Sequence, residues 1–197
     1  MDAAAAAQPA AFPPPPWRLK GELRLAAWLT RTTPPPPVPA GWRPVRLGGR
    51  LAVGAVWAAY GPQGDLAYRE LAIGVLIRRG AALALTVPWI WVDSGAACDG
   101  GRRLWAIRKR LASFGGSRAQ LPGGPTAELA FDRRSPPLGR VGLRLTVVQP
   151  ARRGPVVSHG RIAGRLRLGS SSWRLPTHRG RPIVSAALED AELVFGL

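Results

Sequence analysis

The chain of 197 residues is 46% hydrophobic, with mean hydropathy near zero and a formal net charge of +17. That is apolar material for one substantial core, too little for two full domains and too much for wholesale disorder. A single cysteine, Cys98, excludes an internal disulfide and a cysteine-based metal cluster, which fits a reducing compartment.

Residues 1–16 are rich in alanine and proline and end in four prolines, so a disordered or extended lead-in is expected there, followed by a single domain over 17–197. Trp17 to Thr30 alternates apolar and polar residues, the period of a half-buried strand. A second proline cluster, Pro34 to Pro37, precedes three long apolar runs at Leu51 to Tyr60, Leu66 to Ile77 and Ala81 to Val92. Gly61-Pro62-Gln63-Gly64 and Arg78-Arg79-Gly80 separate these runs as short turns, the spacing of an antiparallel meander. Pro88 marks an edge or a bulge in the third run. Beyond Asp93 the spacing predicts a helix, with Leu104, Ile107, Arg108 and Leu111 on one face and Trp105 with Lys109 on the adjacent one. Further strands are expected near 126–132, 140–149, 161–168 and 183–195, the last partly helical around Ala186 to Asp190. Many strands with few helices argue for a mainly β fold, closed or sandwich-like. No apolar stretch reaches the roughly 20 residues that span a bilayer, and the N-terminus lacks the basic and apolar regions of a secretion signal. A cytoplasmic address is the expectation.

A net charge of +17 would ordinarily point to nucleic acid or an anionic membrane. The basic residues, however, are scattered as pairs (Arg78-Arg79, Arg102-Arg103, Arg133-Arg134, Arg152-Arg153), with no tract and no recognised binding motif. Excess Ala, Arg, Gly and Pro with almost no Lys is the signature of GC-rich coding, so neither a nucleic-acid partner nor a membrane partner is expected. Only Lys20 and Lys109 of the 28 basic residues are lysines. Lysine can do what arginine cannot, which is to lose its proton and attack a carbonyl as a free amine. A lysine kept between Arg108 and Arg110 is therefore the candidate nucleophile, with like charge on either side disfavouring its ammonium form. Trp89, Trp91 and Trp105 flank it in sequence and are candidates to wall an apolar pocket.

Trp89-Ile90-Trp91-Val92-Asp93-Ser94 followed by Gly101-Arg102-Arg103-Leu104-Trp105-Ala106-Ile107-Arg108-Lys109 resembles the central block of the acetoacetate decarboxylase family. Gly64-Asp65-Leu66-Ala67-Tyr68-Arg69-Glu70, Pro39 to Val45 and Pro16 to Glu22 resemble other blocks of that family, in order, over roughly residues 14 to 114. The resemblance implies an antiparallel closed barrel or cone-like sheet with few short helices, and an oligomer. It implies Lys109 as a Schiff-base nucleophile and Glu70 as the active-site glutamate that orients substrate or moves protons. It also implies activating or substrate-orienting roles for Arg110, which stands where the decarboxylase has a second lysine, and for Arg102 and Tyr68. Arg103 replaces the family's glutamate and Arg108 its proline, while the arginine near the substrate carboxylate falls around Gly21.

The expected activity is a cofactor-independent carbon–carbon lyase acting on a small keto acid or related carbonyl compound, decarboxylase-like or an imine-based aldolase or dehydratase. The alternatives are a catalytically altered or inactive relative that binds a small acidic ligand in the same cavity, and a basic nucleic-acid-binding protein. His159 and His178 lack placed carboxylate partners for a metal site, Cys98 lacks a histidine, and Ser170-Ser171-Ser172 reads as a turn. The glycine pairs, including Gly100-Gly101, lack the strand-loop-helix context of a nucleotide loop. Glu189, Asp190 and Glu192 are expected to balance arginines.

Overall fold

Strand alternation organises this molecule, and the central strands bury both of their faces. The computed structural model describes residues 11–31, 36–177 and 179–197. Among these the elements in chain order are β1 (Trp17–Thr30), β2 (Arg43–Pro44), β3 (Arg46–Leu47), β4 (Arg50–Tyr60), β5 (Tyr68–Arg79) and β6 (Ala82–Val92). One helix, α1 (Gly95–Trp105), follows, and then β7 (Arg110–Leu111), β8 (Ser113–Gly115), β9 (Arg118–Gln120), β10 (Thr126–Arg133) and β11 (Arg140–Gln149). The chain ends with β12 (Val156–Arg174), β13 (Arg179–Gly180) and β14 (Val184–Phe195).

On β4, Leu51, Val53, Ala55 and Trp57 enter one apolar cluster while Val56, Ala58 and Tyr60 enter another. On β5, Leu71, Ile73, Val75 and Ile77 join the first cluster, and Tyr68 and Ala72 the second. Successive side chains of a strand point to opposite faces, so the two clusters lie on the two sides of one sheet. This is why the three apolar runs read as nearly continuous rather than alternating. The first cluster is covered by Ala119, Ala127 and Leu129 of β9 and β10 together with Trp173. Edge-to-face ring pairs knit it, Trp28 with Trp173 at 5.7 Å and Trp57 with Phe114 at 5.5 Å. The second cluster takes Trp17, Leu19 and Leu23 of β1, Ala97, Cys98 and Trp105 of α1, and Phe195 of β14.

Two irregularities reset which residues face inward. The β5/β6 pairing runs Ile73↔Trp89 and then Val75↔Thr86, so β6 carries an extra residue around Val87-Pro88. Of the edge or bulge that Pro88 implies, the structure has the bulge. The second lies on β14, where Gly21↔Ala191 is followed by Leu23↔Leu188 and Asp190 takes a left-handed φ of 47°. Gly21 is required beside it, because a Cβ there would run into the Ala59 carbonyl.

The sheet order is β11-β6-β5-β4-β1-β14-β12-β10-β9-β8, and β11 also pairs with β12, so the path of pairings returns on itself. It is not the wholly antiparallel sheet expected. β11 meets β6 in parallel at Val147↔Leu85, and β7 runs parallel to β6, because the segment after α1 re-enters beside the strand that precedes it. β12 is longer than the sequence suggested, since its first part pairs with β11 and β14 and its last part with β10. Ser170 to Ser172 lie inside this strand and do not form a turn; Ser171 Oγ and Ser185 Oγ are 2.7 Å apart. The anticipated helicity of 183–195 is absent, as Val184–Phe195 is strand throughout, interrupted only by its bulge. Residues 1–10 of the expected lead-in and His178 lie outside the described residues. The lead-in's last part is engaged, with Phe12 packed on the second cluster and the Trp17 indole donating to the Pro13 carbonyl at 2.8 Å. Among the described residues no helix is long and apolar enough to cross a membrane.

Ile73 is fully buried in the first cluster, whereas Leu83 of β6 is 60% exposed. Ile73→Ala should lower unfolding free energy by about 2–5 kcal/mol. Leu83→Ala should stay within about 0.5 kcal/mol, both read by denaturant titration.

Candidate active site

The path that carries Lys109 inward begins with a capped helix. Ser94 Oγ accepts the Ala97 N–H at 3.2 Å, satisfying one of the free donors of the first turn of α1. The helix ends earlier than its apolar spacing suggested. Ala106 adopts φ 54°, and Ile107 N donates to Gly101 O at 3.0 Å, so the last turn closes and the chain reverses. Ile107, Arg108 and Lys109 therefore leave the helix in irregular backbone, and Leu111 lies in β7. Lys109 N donates to Ile107 O at 2.8 Å. Its carbonyl accepts from Arg102 Nε at 2.8 Å and from the Cys98 thiol at 3.2 Å, which pins the returning segment against α1.

Paired glycines make this approach possible. A Cβ on Gly101 would lie 2.8 Å from both Cδ and Cε of Lys109, and one on Gly100 would strike the Trp17 ring. The lysine stem and the indole thus pass where side chains of the helix would otherwise stand. Lys109 is 4% exposed, while Arg108 and Arg110 are exposed.

Lys109 Nζ donates to Glu70 Oε2 at 2.8 Å and to Tyr68 Oη at 3.3 Å, and it stands 4.9 Å from the Tyr68 ring centre. Tyr68 and Glu70 are two residues apart on β5 and so share its inner face. Tyr60 arrives from β4, its ring 5.0 Å from that of Tyr68. Burial pushes the hydroxyls of both tyrosines well above their ordinary value, with the negative charge of Glu70 adding to the effect. These groups open onto a cavity of about 170 Å³ whose other walls include Trp17, Leu19, Ile107 and Phe195.

The sequence-derived candidates divide accordingly. Lys109, Glu70, Tyr68 and Trp105 all line the cavity. Trp89 and Trp91 do not. They pack on the opposite face with the first cluster, because the Val87-Pro88 bulge exchanges the faces of β6 and turns Ile90 inward instead. Arg102 reaches the backbone carbonyl of Lys109 and not the cavity, and the Arg110 side chain lies outside it. Trp17, Tyr60 and Phe195 were missed as cavity residues. The alternation of β1 places Trp17 inward, but nothing local to these three indicates which strands surround the lysine. Cys98 is buried, and its thiol is pushed up chiefly by desolvation. His159 is exposed on β12, 3.2 Å from Thr146 Oγ1, and among the described residues no three metal-ligating side chains come together.

No family model and no curated protein matches this chain. Solved structures do match it. Acetoacetate decarboxylase from Legionella pneumophila superposes with a TM-score of 0.62 at 14% identity, covering 98% of this chain and 95% of that one. The chain has the acetoacetate decarboxylase fold. MppR, an enduracididine biosynthesis enzyme solved in complex with pyruvate, gives a TM-score of 0.54 at 16% identity over 97% and 90%. An acetoacetate decarboxylase-like enzyme from Sphingomonas wittichii RW1 gives 0.53 at 14% identity over 100% and 97%. Near-complete coverage at such identity means that the fold is carried by the inward and outward pattern of the strands, while most individual side chains differ.

Tyr60 and Tyr68 are the two tyrosines of the chain, so tyrosine titration reports on the cavity alone. Denatured protein should gain phenolate absorbance with a midpoint near pH 10.0, and folded protein should show none at that pH, its rise displaced to higher pH. Because the folded values are raised, this contribution to stability is whole below the unfolded value and should decline as pH rises beyond it. Gly101→Ala should cost about 1–3 kcal/mol by overpacking the Lys109 stem. Gly115→Ala, with open space around it, should be nearly neutral by the same denaturation measurement.

Proposed function

We propose that this protein is an acetoacetate decarboxylase-like lyase that acts on a small keto acid or related carbonyl compound through an imine at Lys109, within a sheet that we read as a cone closed around the cavity. The reading is carried by one observation: a lysine nitrogen buried at an apolar cavity with a carboxylate at 2.8 Å. Solvation would ordinarily keep such a nitrogen in water, and burial of an ion pair is seldom the most stable arrangement available. A chemical role accounts for it.

The chemistry follows from the groups at hand. Glu70 takes the proton that leaves Nζ, and the nitrogen lone pair adds to the carbonyl carbon. The carbonyl oxygen takes a second proton from the adduct nitrogen to become a hydroxyl, accepts the proton held by Glu70, and departs as water. The iminium that remains draws electrons from an adjacent carbon–carbon bond. In a β-keto acid that bond breaks to release carbon dioxide, and its electron pair forms an enamine. Protonation of the enamine carbon and hydrolysis by water return the free amine and the shortened ketone. Apolar walls favour this sequence, because they exclude water from the enamine and strengthen each charge interaction within.

Borohydride reduction during incubation with acetoacetate, pyruvate or a simple ketone should add the mass of the reduced adduct at Lys109, located by peptide mass spectrometry. Lys109→Met should abolish it. Glu70→Gln should slow its formation by on the order of a hundredfold or more. Labelling elsewhere on the chain, with Lys109 untouched, would refute the assignment.

A further inference from the structure

Nineteen residues line the cavity and fifteen of them are apolar; the remaining four are Lys109, Glu70, Tyr60 and Tyr68. Lys109 is the sole cation among them, and its charge is already matched by Glu70 at 2.8 Å. The other basic groups nearby are turned away. Arg102 is committed to the Lys109 carbonyl, Arg108 and Arg110 are exposed, and Lys20 is half-exposed with its Nζ 3.9 Å from Glu192. On β1 the inward positions are Trp17, Leu19 and Leu23, and Gly21 between them has no room for any side chain against the Ala59 carbonyl. No backbone position on that wall is open to a second cation.

We infer that the substrate of this site is a neutral carbonyl compound with an apolar chain, a ketone or aldehyde carrying no carboxylate. The inference rests on imine formation at Lys109 and narrows that reading to its second branch, a related carbonyl compound, setting aside the keto acid and its decarboxylation. A free carboxylate would enter walls of hydrocarbon and indole where the only cation is already paired, and it would face the negative charge of Glu70. A buried anion is tolerated only where it is paired and hydrogen-bonded. Formation of the iminium does not help, since that positive charge inherits the pairing with Glu70 and leaves the substrate's anion uncompensated. Size points to the same class. A dry cavity of about 150 Å³ lined by aliphatic and aromatic side chains holds a benzene-sized guest. The 170 Å³ here accordingly suits a carbonyl compound with a short aliphatic or single-ring tail.

The matched probes are 2-hexanone and 4-oxopentanoate, both methyl ketones of similar length, one neutral and one anionic. Half-saturation of the borohydride-trapped Lys109 adduct should come at a concentration at least about tenfold lower for 2-hexanone, equivalent to about 1.4 kcal/mol. Equal or tighter saturation by 4-oxopentanoate would overturn the inference while leaving the imine intact. Absence of any adduct would defeat the imine reading, and thermal unfolding with the same two compounds then decides between cavity selectivity and its failure. Stabilisation by 2-hexanone alone sustains the selectivity, and stabilisation by neither, or by the acid, refutes it. Ile162→Arg places a cation at a half-buried position on the cavity wall and should shift preference toward 4-oxopentanoate severalfold; an unchanged ratio would count against the inference.

Discussion

The contact between Lys109 and Glu70 constrains the rest of this structure. Two opposite charges removed from water lose several kcal/mol of solvation each, and their mutual attraction offsets this only when geometry is good. Here the geometry is good: 2.8 Å between nitrogen and oxygen, with Tyr68 as a further partner at 3.3 Å. Breaking such a pair by deleting one member leaves a buried charge without compensation, a loss of about 3–5 kcal/mol. The fold must therefore supply both partners together, from elements that are distant in sequence, and hold them against the tendency of each to reach solvent.

It does so by joining a rigid element to a returning one. Glu70 sits in the middle of the sheet, its strand paired on both sides by Ala58 and Val92. Lys109 lies beyond the helix, where the chain has freedom to bend, but its carbonyl is held by Arg102 and Cys98 and its stem lies against Gly101. The parallel pairing of β7 with β6, Trp91↔Arg110 and Val92↔Leu111, then fixes the chain immediately after the lysine. Cys98 thus has a structural part through its backbone contact, and its raised thiol value is in keeping with an inert, desolvated sulfur. Arg102, which the resemblance placed among substrate-orienting groups, acts one bond further back, on the main chain that presents the nitrogen.

What the sequence disclosed, and what it concealed, follows from the range of the forces involved. Strand β1 was legible to the residue because period-two alternation is a local property, and the three apolar runs were legible because consecutive strands pair. Lys109 stood out against an arginine background, and Glu70 followed from the family resemblance. The tryptophans at 89 and 91 were misplaced for a definable reason. Leu85 and Val87 face the cavity, and unbroken alternation would have put Trp89 and Trp91 beside them; one extra residue at Pro88 reverses the faces. Pro88 was noticed, but its consequence for every residue downstream depends on register with β5. The Gly100-Gly101 pair carries no local signal of its role, since the groups it accommodates, Trp17 and Lys109, come from elsewhere in the chain. Trp17, Tyr60 and Phe195 surround the site only because β1, β4 and β14 are neighbours in a sheet whose order no local pattern encodes.

Net charge misleads about this site, because the charges lie on the outside. Arg140 stands opposite Arg165, and Arg144 opposite Arg161, across β11 and β12, an arrangement that is unfavourable unless acids lie close by. For the first pair they do: Arg165 and Asp190 are 2.5 Å apart and Arg140 lies 3.6 Å from Glu192, while nearby Glu189 receives Arg167 at 2.7 Å and Arg133 at 3.2 Å. The bulge on β14 brings this about, since it places Glu189 and Asp190 next to each other where strict alternation would separate their surroundings. Hydrogen bonding from Arg167 holds the Glu189 carboxyl below the usual carboxylate range, so this buried acid anchors a network whose other members are mostly exposed. A strongly basic exterior draws anions toward the molecule through its long-range field, but that field is screened by salt within about 10 Å of the surface. The selection proposed for the cavity would depend on contacts of a few ångströms with Glu70 and the apolar walls. Attraction outside and discrimination within are thus governed by different residues, and a positive protein can still hold a site that disfavours carboxylates.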